Sequence, residues 1–305
     1  MTDLQRRKNR LIIQHWQLYL LLLFPLVNLI IFKYLPILGL QMALKDFRVS
    51  KGLWGSPWVG LKHFKTFFVS PNFWMIIGNT IILSIYSIAA SFPLAILLAI
   101  GMNELSSSHA RKTVQFFTYA PYFISTVVLV SMMMQLFDPR IGILTRLLKL
   151  FGYDGSNVFG SPTAFRHLYV WSGIWQQTGY NAIMYLAALS AINIELYDAA
   201  KVDGCSKLQR IWHIDLPGIR PTIIILLILN MGYIMSVGFE KVYLMQNPMN
   251  LETSEIIATY VYRVGLINSD FGFSTAVGFF NSVINLVLML SVNKIAQKVG
   301  ETSLW

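Results

Sequence analysis

Amides, hydroxyls and aromatic rings are concentrated in two stretches of an otherwise apolar chain. Residues 171–181 read WSGIWQQTGYN, and Asn230, Tyr233 and Ser236 sit on neighbouring turns of a later apolar run. So many polar groups inside a hydrophobic segment are unfavourable unless they face protein or water. Gln177, Tyr180 and Asn181 fall on one helical face. Aromatic faces stack on sugar rings and amides bond sugar hydroxyls. Gln176, Gln177, Tyr180, Asn181, Asn230, Tyr233 and Ser236 are therefore candidates to line a path for such a solute. The plainer reading is that these groups bond only between helices.

The chemistry that is missing narrows the classes further. There is no G-x-x-x-x-G-K-[ST] loop, so the chain is not expected to hydrolyse ATP by itself. Serine, histidine and carboxylate form no credible catalytic set, and His15, His63, His109, His167 and His213 stand on separate segments. No metal-ligand cluster is evident, and no cofactor of the chain's own is expected. Cys205 is the single cysteine, which excludes an internal disulfide.

A third stretch, residues 193–221, is a polar island between long apolar runs: NIELYDAAKVDGCSKLQRIWHIDLPGIRP. Asn193 can cap a helix with its side-chain oxygen. Glu195 and Asp198 then lie early in that helix, where the macrodipole favours negative charge. Leu196, Ala199, Ala200 and Asp203 follow helical spacing and are assigned to one face, which small Ala199 and Ala200 open to close approach. Gly204 can take the left-handed conformation that ends the helix. Ser206 can cap a second short turn, Lys207 to His213, and Pro217 and Pro221 suit the first turn of the next helix.

These stretches need a membrane-embedded frame. The chain has 305 residues, 55% hydrophobic and only 12% charged, against roughly 25% charged in soluble domains. A helical span takes about twenty mostly apolar residues. Six are predicted: Trp16 to Tyr34, Trp74 to Met102, Phe116 to Phe137, Leu168 to Ala191, Thr222 to Phe239 and Thr275 to Val292. The fold class is all-α integral membrane, with one six-helix domain over 16–293. The basic start, Arg6 to Arg10, leads into an apolar run without a small-residue cleavage site, so that run reads as the first span. Pro25 and Asn28 predict that this helix is kinked or packed in the bundle. Ser84, Ser87, Ala89, Ala90 and Ser91 favour close packing of the second span. Gly278, Asn281 and Asn285 are spaced for one face of the last. Between spans, Trp54, Trp58 and Phe64 suit an aromatic belt, a short helix is expected around Leu144 to Leu150, and Glu252 to Asp270 is read as an outward scoop. The net charge of +10 suits anionic lipid headgroups, and its spread between spans argues against nucleic acid.

The island resembles the cytoplasmic EAA loop of binding-protein-dependent ABC importer permeases. That motif is E-A-A, three residues, G, nine residues, I-x-L-P. The sequence supplies Asp198-Ala199-Ala200, Gly204 and Ile214-Asp215-Leu216-Pro217 with every spacing kept. Asp198 replaces the usual Glu and Cys205 a common Ala. Segments around Phe32–Pro36, Ala43–Phe47, Gly55–Leu61 and Tyr119–Pro121 resemble a narrower group, the LplB-like permeases of polysaccharide and oligosaccharide importers, which include alginate importers.

The resemblance implies a type I ABC importer permease fold with a coupling helix that docks in a cleft of an ATPase subunit, a helix laid in a groove. Asp198, Ala199, Ala200, Asp203, Gly204, Leu216 and Pro217 would carry that coupling. It implies a bacterial inner or plasma membrane location. The N-terminal segment 1–15, the loop 193–221 and the tail 294–305 would all be cytoplasmic. Expected partners are a second, related permease, two ATP-binding subunits that hold ATP and Mg, an extracytoplasmic solute-binding protein, membrane lipid and a saccharide. An excess of basic over acidic residues in the outer segments suits an acidic saccharide such as a uronate oligomer. The alternatives are an ABC permease for another solute class, or a self-standing secondary transporter, which would place ionisable groups within its spans.

Overall fold

A computed structural model describes residues 15–300. The basic run Arg6–Arg10 and the extreme C-terminus lie outside the described residues. Among the described residues the secondary structure is helical, apart from one isolated antiparallel bridge between Lys45 and Trp58. The chain divides into two compact units. One holds the described residues up to Phe68 with Val264–Phe279, and the other holds Val69–Arg263 with the described residues from Phe280 onward.

The first unit begins with α1, Trp16–Leu29, which runs on through a wide π turn, Ile30–Tyr34, and tight 3-10 turns to Leu44. None of the residues of α1 is buried. Pro25 stays inside the helix, and the apolar side chains of α1 are exposed. In lipid such a surface carries no penalty, because the tails are as apolar as leucine. After α2, Gly52–Gly55, and α3, Lys62–Val69, the unit is closed by Lys45. Its ammonium donates to the Leu53 carbonyl at 2.7 Å and lies 4.6 Å from the Trp58 ring centroid and 5.8 Å from that of Trp54. Trp54 and Trp58 stay exposed, as an interfacial belt requires.

The second unit is built on two long helices, α4, Phe73–Asn103, and α8, Pro162–Ser190. Ser161 caps α8 by accepting from the Ala164 amide, and Pro162 takes its first turn, where a missing N–H costs nothing. Between them lie α5, Ser108–Tyr119, α6, Thr126–Leu136, and α7, Ile143–Leu150. One apolar cluster gathers Leu83, Val130, Phe165 and Ile256; another gathers Ala99, Ala182, Tyr185 and Ile219.

Four helical stretches are long and apolar enough to cross a membrane: 16–44, 73–103, 207–231 and 271–298. Two bent pairs, Ser108–Phe123 with Thr126–Leu136 and Pro162–Ser190 with Ile194–Val202, raise the count to six. The third predicted span, Phe116 to Phe137, is thus no straight helix. It bends by 97° after Phe123, where Ile124 and Ser125 become extended and Ser125 caps α6 through the Val128 amide. Pro121, which has no N–H to donate, helps to end the first half.

The fifth predicted span, Thr222 to Phe239, is corrected more sharply. One helical rod runs from α10, Lys207–Arg210, through a π turn, Ile211–Asp215, into α11, Leu216–Met231. The expected stop near His213 does not occur. Pro217 cannot donate to residue 213, and the ladder widens just before it, with the Leu216 amide bonding the Ile211 carbonyl. The rod then ends at Met231, and the chain resumes as α12, Phe239–Met245. In the segment Glu252 to Asp270, α14, Ile257–Tyr262, is half buried, α13, Leu251–Ser254, buries only Ser254, and Leu266 to Asp270 are exposed. Asn79 donates to the carbonyls of Glu252 and Glu255 at 2.7 and 3.1 Å. The last helix, α15, spans Phe271–Gly300, past its expected end at Val292.

At Gly179, α8 meets the backbone of α5: a Cβ there would fall inside the van der Waals envelope of the Thr118 carbonyl. Helix propensity favours alanine over glycine by about 1 kcal/mol, whereas overpacking against an immovable backbone costs about 1–3 kcal/mol. Gly179→Ala is therefore expected to lower the melting temperature of the purified protein. An unchanged or raised melting temperature would refute the close approach.

Candidate functional site

A cleft of about 370 Å³ lies among α4, α8, the end of α11 and the break that follows it. Gln177 and Asn181 line it from α8, Asn230 from α11, and Tyr233 and Ser236 from the break. Five of the seven residues picked out as a solute path therefore converge on one space. Tyr180 lines an adjoining space with Asn181 and Asn230, and its ring stacks on Tyr122 at 3.8 Å between centroids and 4° between planes. Gln176 is a correction. It is buried, and its Nε2 donates to the Ile124 carbonyl at 2.7 Å, which is the oxygen left without a helical partner by the bend. A buried carbonyl of this kind needs a partner, so Gln176 holds the fold and does not line the cleft.

The broken backbone is also repaid from neighbouring helices. The Met235 amide donates to Asn285 Oδ1 at 2.9 Å, and Asn285 Nδ2 donates to the Ser236 hydroxyl at 2.9 Å. Ser84 donates to the Ile234 carbonyl. Asn230 Nδ2 donates to the Leu226 carbonyl at 2.7 Å within its own helix. Part of the polar capacity of these residues is thus internal, while Tyr233 keeps 71% of its surface exposed. Ser84, Ser87 and Ser91 complete the hydroxyl-bearing wall from α4.

At the other end of the rod stands the polar island. Asn193 caps α9, Ile194–Val202, by accepting from the Glu195 amide at 3.0 Å. Its C-terminus closes with Gly204 at φ +71. The Cys205 amide bonds the Ala200 carbonyl at 2.9 Å and the Gly204 amide bonds that of Lys201 at 3.1 Å, the paired bonds of a Schellman stop. Ser206 and Gln209 then form a reciprocal capping box at the head of α10. Asp198 is exposed and pairs with Lys201 at 3.0 Å. Leu196, Ala199 and Asp203 also face outward, but Ala200 turns inward and is buried, so the face assigned to all four is divided. Leu216 packs against the second apolar cluster and Pro217 is exposed. Around these lie Ile194, Val202, Leu208 and Trp212, uncovered to between 70% and 88%.

This island is fixed from below by a network the sequence reading missed. The Tyr197 hydroxyl donates to Asp215 Oδ1 at 2.5 Å, and Asp215 is fully buried. Arg210 pairs with Glu104 at the C-terminus of α4 and lies 5.6 Å from the Tyr197 ring centroid. Burial first, and then the Asp215 carboxylate, push the Tyr197 phenol up to about 12, so it remains a donor at physiological pH. Glu104 is the only acid in the loop 103–115, opposite a basic segment, and that was the signal available.

The description "Binding-protein-dependent transport system inner membrane component" matches residues 91–301. The chain belongs to this family. It is also similar to the polygalacturonan/rhamnogalacturonan transport system permease protein YteP of Bacillus subtilis (strain 168), at 40% identity over 99% of this chain and 94% of the relative. Protein LplB of the same strain is 38% identical over 94% and 91%. Two crystal structures of bacterial alginate ABC transporters superpose with TM-scores of 0.88 and 0.89 at 38% and 39% identity, covering 97% and 96% of this chain and 99% of each solved chain. The permease is accordingly a multi-pass membrane component of an ABC importer with the type I fold, a transport subunit and not an enzyme. The self-standing transporter reading falls.

Tyr197→Phe leaves the buried Asp215 carboxylate without its donor, which costs about 1–3 kcal/mol. The permease variant should unfold at a measurably lower temperature in detergent, and a melting temperature equal to wild type would show that the network carries no weight.

Proposed function

We propose that this permease imports an acidic oligosaccharide or polysaccharide delivered by an extracytoplasmic solute-binding protein. The observation that carries this reading is its similarity, over nearly the whole chain, to a permease named for polygalacturonan and rhamnogalacturonan and to transporters of alginate. The cleft supports it, because serine hydroxyls, the amides of Gln177 and Asn181 and the exposed Tyr233 ring suit a polyhydroxylated chain.

In this reading the permease pairs with a second, related permease and two ATP-binding subunits, which hold ATP and Mg. The loop 193–221 and both termini face the cytosol. Asp198, Ala199, Ala200, Asp203, Gly204, Leu216 and Pro217 form the coupling element. Leu208, Trp212 and Val202 give it the uncovered apolar anchors that a helix docked in a partner's groove needs. Closure of the ATPases would push α9, and the rod Lys207–Met231 would carry the push to the cleft.

Cys205 is free and exposed in this loop. A membrane-impermeant maleimide should label it in permeabilised cells but not in intact spheroplasts, and assembly with the ATPase subunits should protect it. Labelling from outside would reverse the topology. Gly204→Val meets no neighbouring atom but must hold φ +71, which costs a branched residue about 1–2 kcal/mol. The variant importer should lose most of its stimulation of ATP hydrolysis by the loaded binding protein, and normal uptake by it would sink the coupling role.

A further inference from the structure

Lys241 in α12 is buried, with 8% of its surface exposed. Among the described residues no carboxylate pairs with it. Its Nζ donates to the Tyr169 carbonyl at 2.8 Å and lies 4.8 Å from the Tyr169 ring centroid. An ammonium has three donors, so two remain. Buried charges are normally paired, and an ionisable group at such a place needs a functional explanation.

The surroundings say what it faces. Lys241 lines a cavity of about 110 Å³ whose other walls include Ser87, Gly173, Gln177 and Asn181. Gln177 and Asn181 also line the main cleft, so the cavity is a side chamber of that space. The chamber is smaller than the roughly 300–1,000 Å³ of an ordinary ligand pocket, so it takes a substituent and not a sugar ring. Gly173 leaves it open: a Cβ there would stand 3.3 Å from Lys241 Nζ. The Ser87 hydroxyl is buried with no hydrogen-bond partner. A lone cation and a free hydroxyl in one small chamber are complementary to a carboxylate, which accepts hydrogen bonds only.

We propose that Lys241 and Ser87 bind a carboxylate of the cargo saccharide as it passes through the cleft. This rests on the saccharide reading above and makes the permease itself, besides the binding protein, a selector for acidic sugars.

The test uses the complete importer in proteoliposomes with one solute-binding protein throughout. Uptake of a galacturonate trimer and of its methyl ester is measured, and the acid-to-ester ratio is the readout, because it is independent of how much transporter folds. Lys241→Met should lower the ratio about tenfold, Ser87→Ala about threefold, and Lys241→Arg should keep it within about threefold of wild type. Gly173→Ala, which crowds the ammonium without removing it, should lower the ratio as well. A wild-type ratio in Lys241→Met overturns this proposal alone. A wild-type importer that takes up neither trimer overturns the saccharide reading and this proposal with it.

Discussion

The hydrocarbon core offers a backbone nothing to bond with, so a helix that breaks there must have its loose amides and carbonyls met by the rest of the protein. The permease breaks two of its crossing segments, and each break is answered from a neighbouring helix. Gln176 donates to the Ile124 carbonyl, Asn285 accepts from the Met235 amide, and Ser84 donates to the Ile234 carbonyl. These side chains look like candidates for binding because they are polar and lie among apolar residues. The same constraint that makes them necessary keeps them occupied. What the breaks leave behind is a space between α4, α8 and α11 in which other polar groups keep free capacity.

The polar island is organised by the opposite logic. Its caps, at Asn193, Gly204 and Ser206, are all made within the loop, so its shape needs no neighbour. Its position does. Tyr197, Asp215, Arg210 and Glu104 tie α9 to the foot of the rod and to the end of α4 through partly buried polar contacts. Such contacts are worth little as net stability but are costly to leave half made. They therefore hold the island in one register while its apolar residues stay uncovered.

Local rules made the island legible from sequence. A capping residue and a positive-φ glycine act within a few residues, and each was found where the spacing put it, whereas Pro217 widened a continuous rod instead of opening a new helix. The candidate crossings, four or up to six if each bent pair is one span, were legible in place because length and apolarity suffice. Their shapes were not. Hydropathy cannot distinguish a straight span from one bent at Ile124–Ser125, and Gly232, Ser236 and Gly238 were the only hint that the fifth ended early. The cleft was legible in five residues, since amides on one helical face need a reason to be there. Gln176, one step round the helix, met a backbone carbonyl far away in sequence, and no periodicity reports that. That Lys241 is buried with no carboxylate paired to it among the described residues is visible only in three dimensions. Ala200 turned inward because Tyr197 and Asp215 fix the rotation of α9, again a tertiary matter.

The rod from Lys207 to Met231 has a mechanical corollary. At 1.5 Å per residue, 25 residues make a stiff beam roughly 37 Å long. Pivoting such a beam by about 10° at its loop end would sweep the Asn230 end sideways by about 6 Å by the same geometry, on the order of one sugar ring. No helix needs to melt or re-form for this. Small angular play at one end of the rod is thereby magnified at the other.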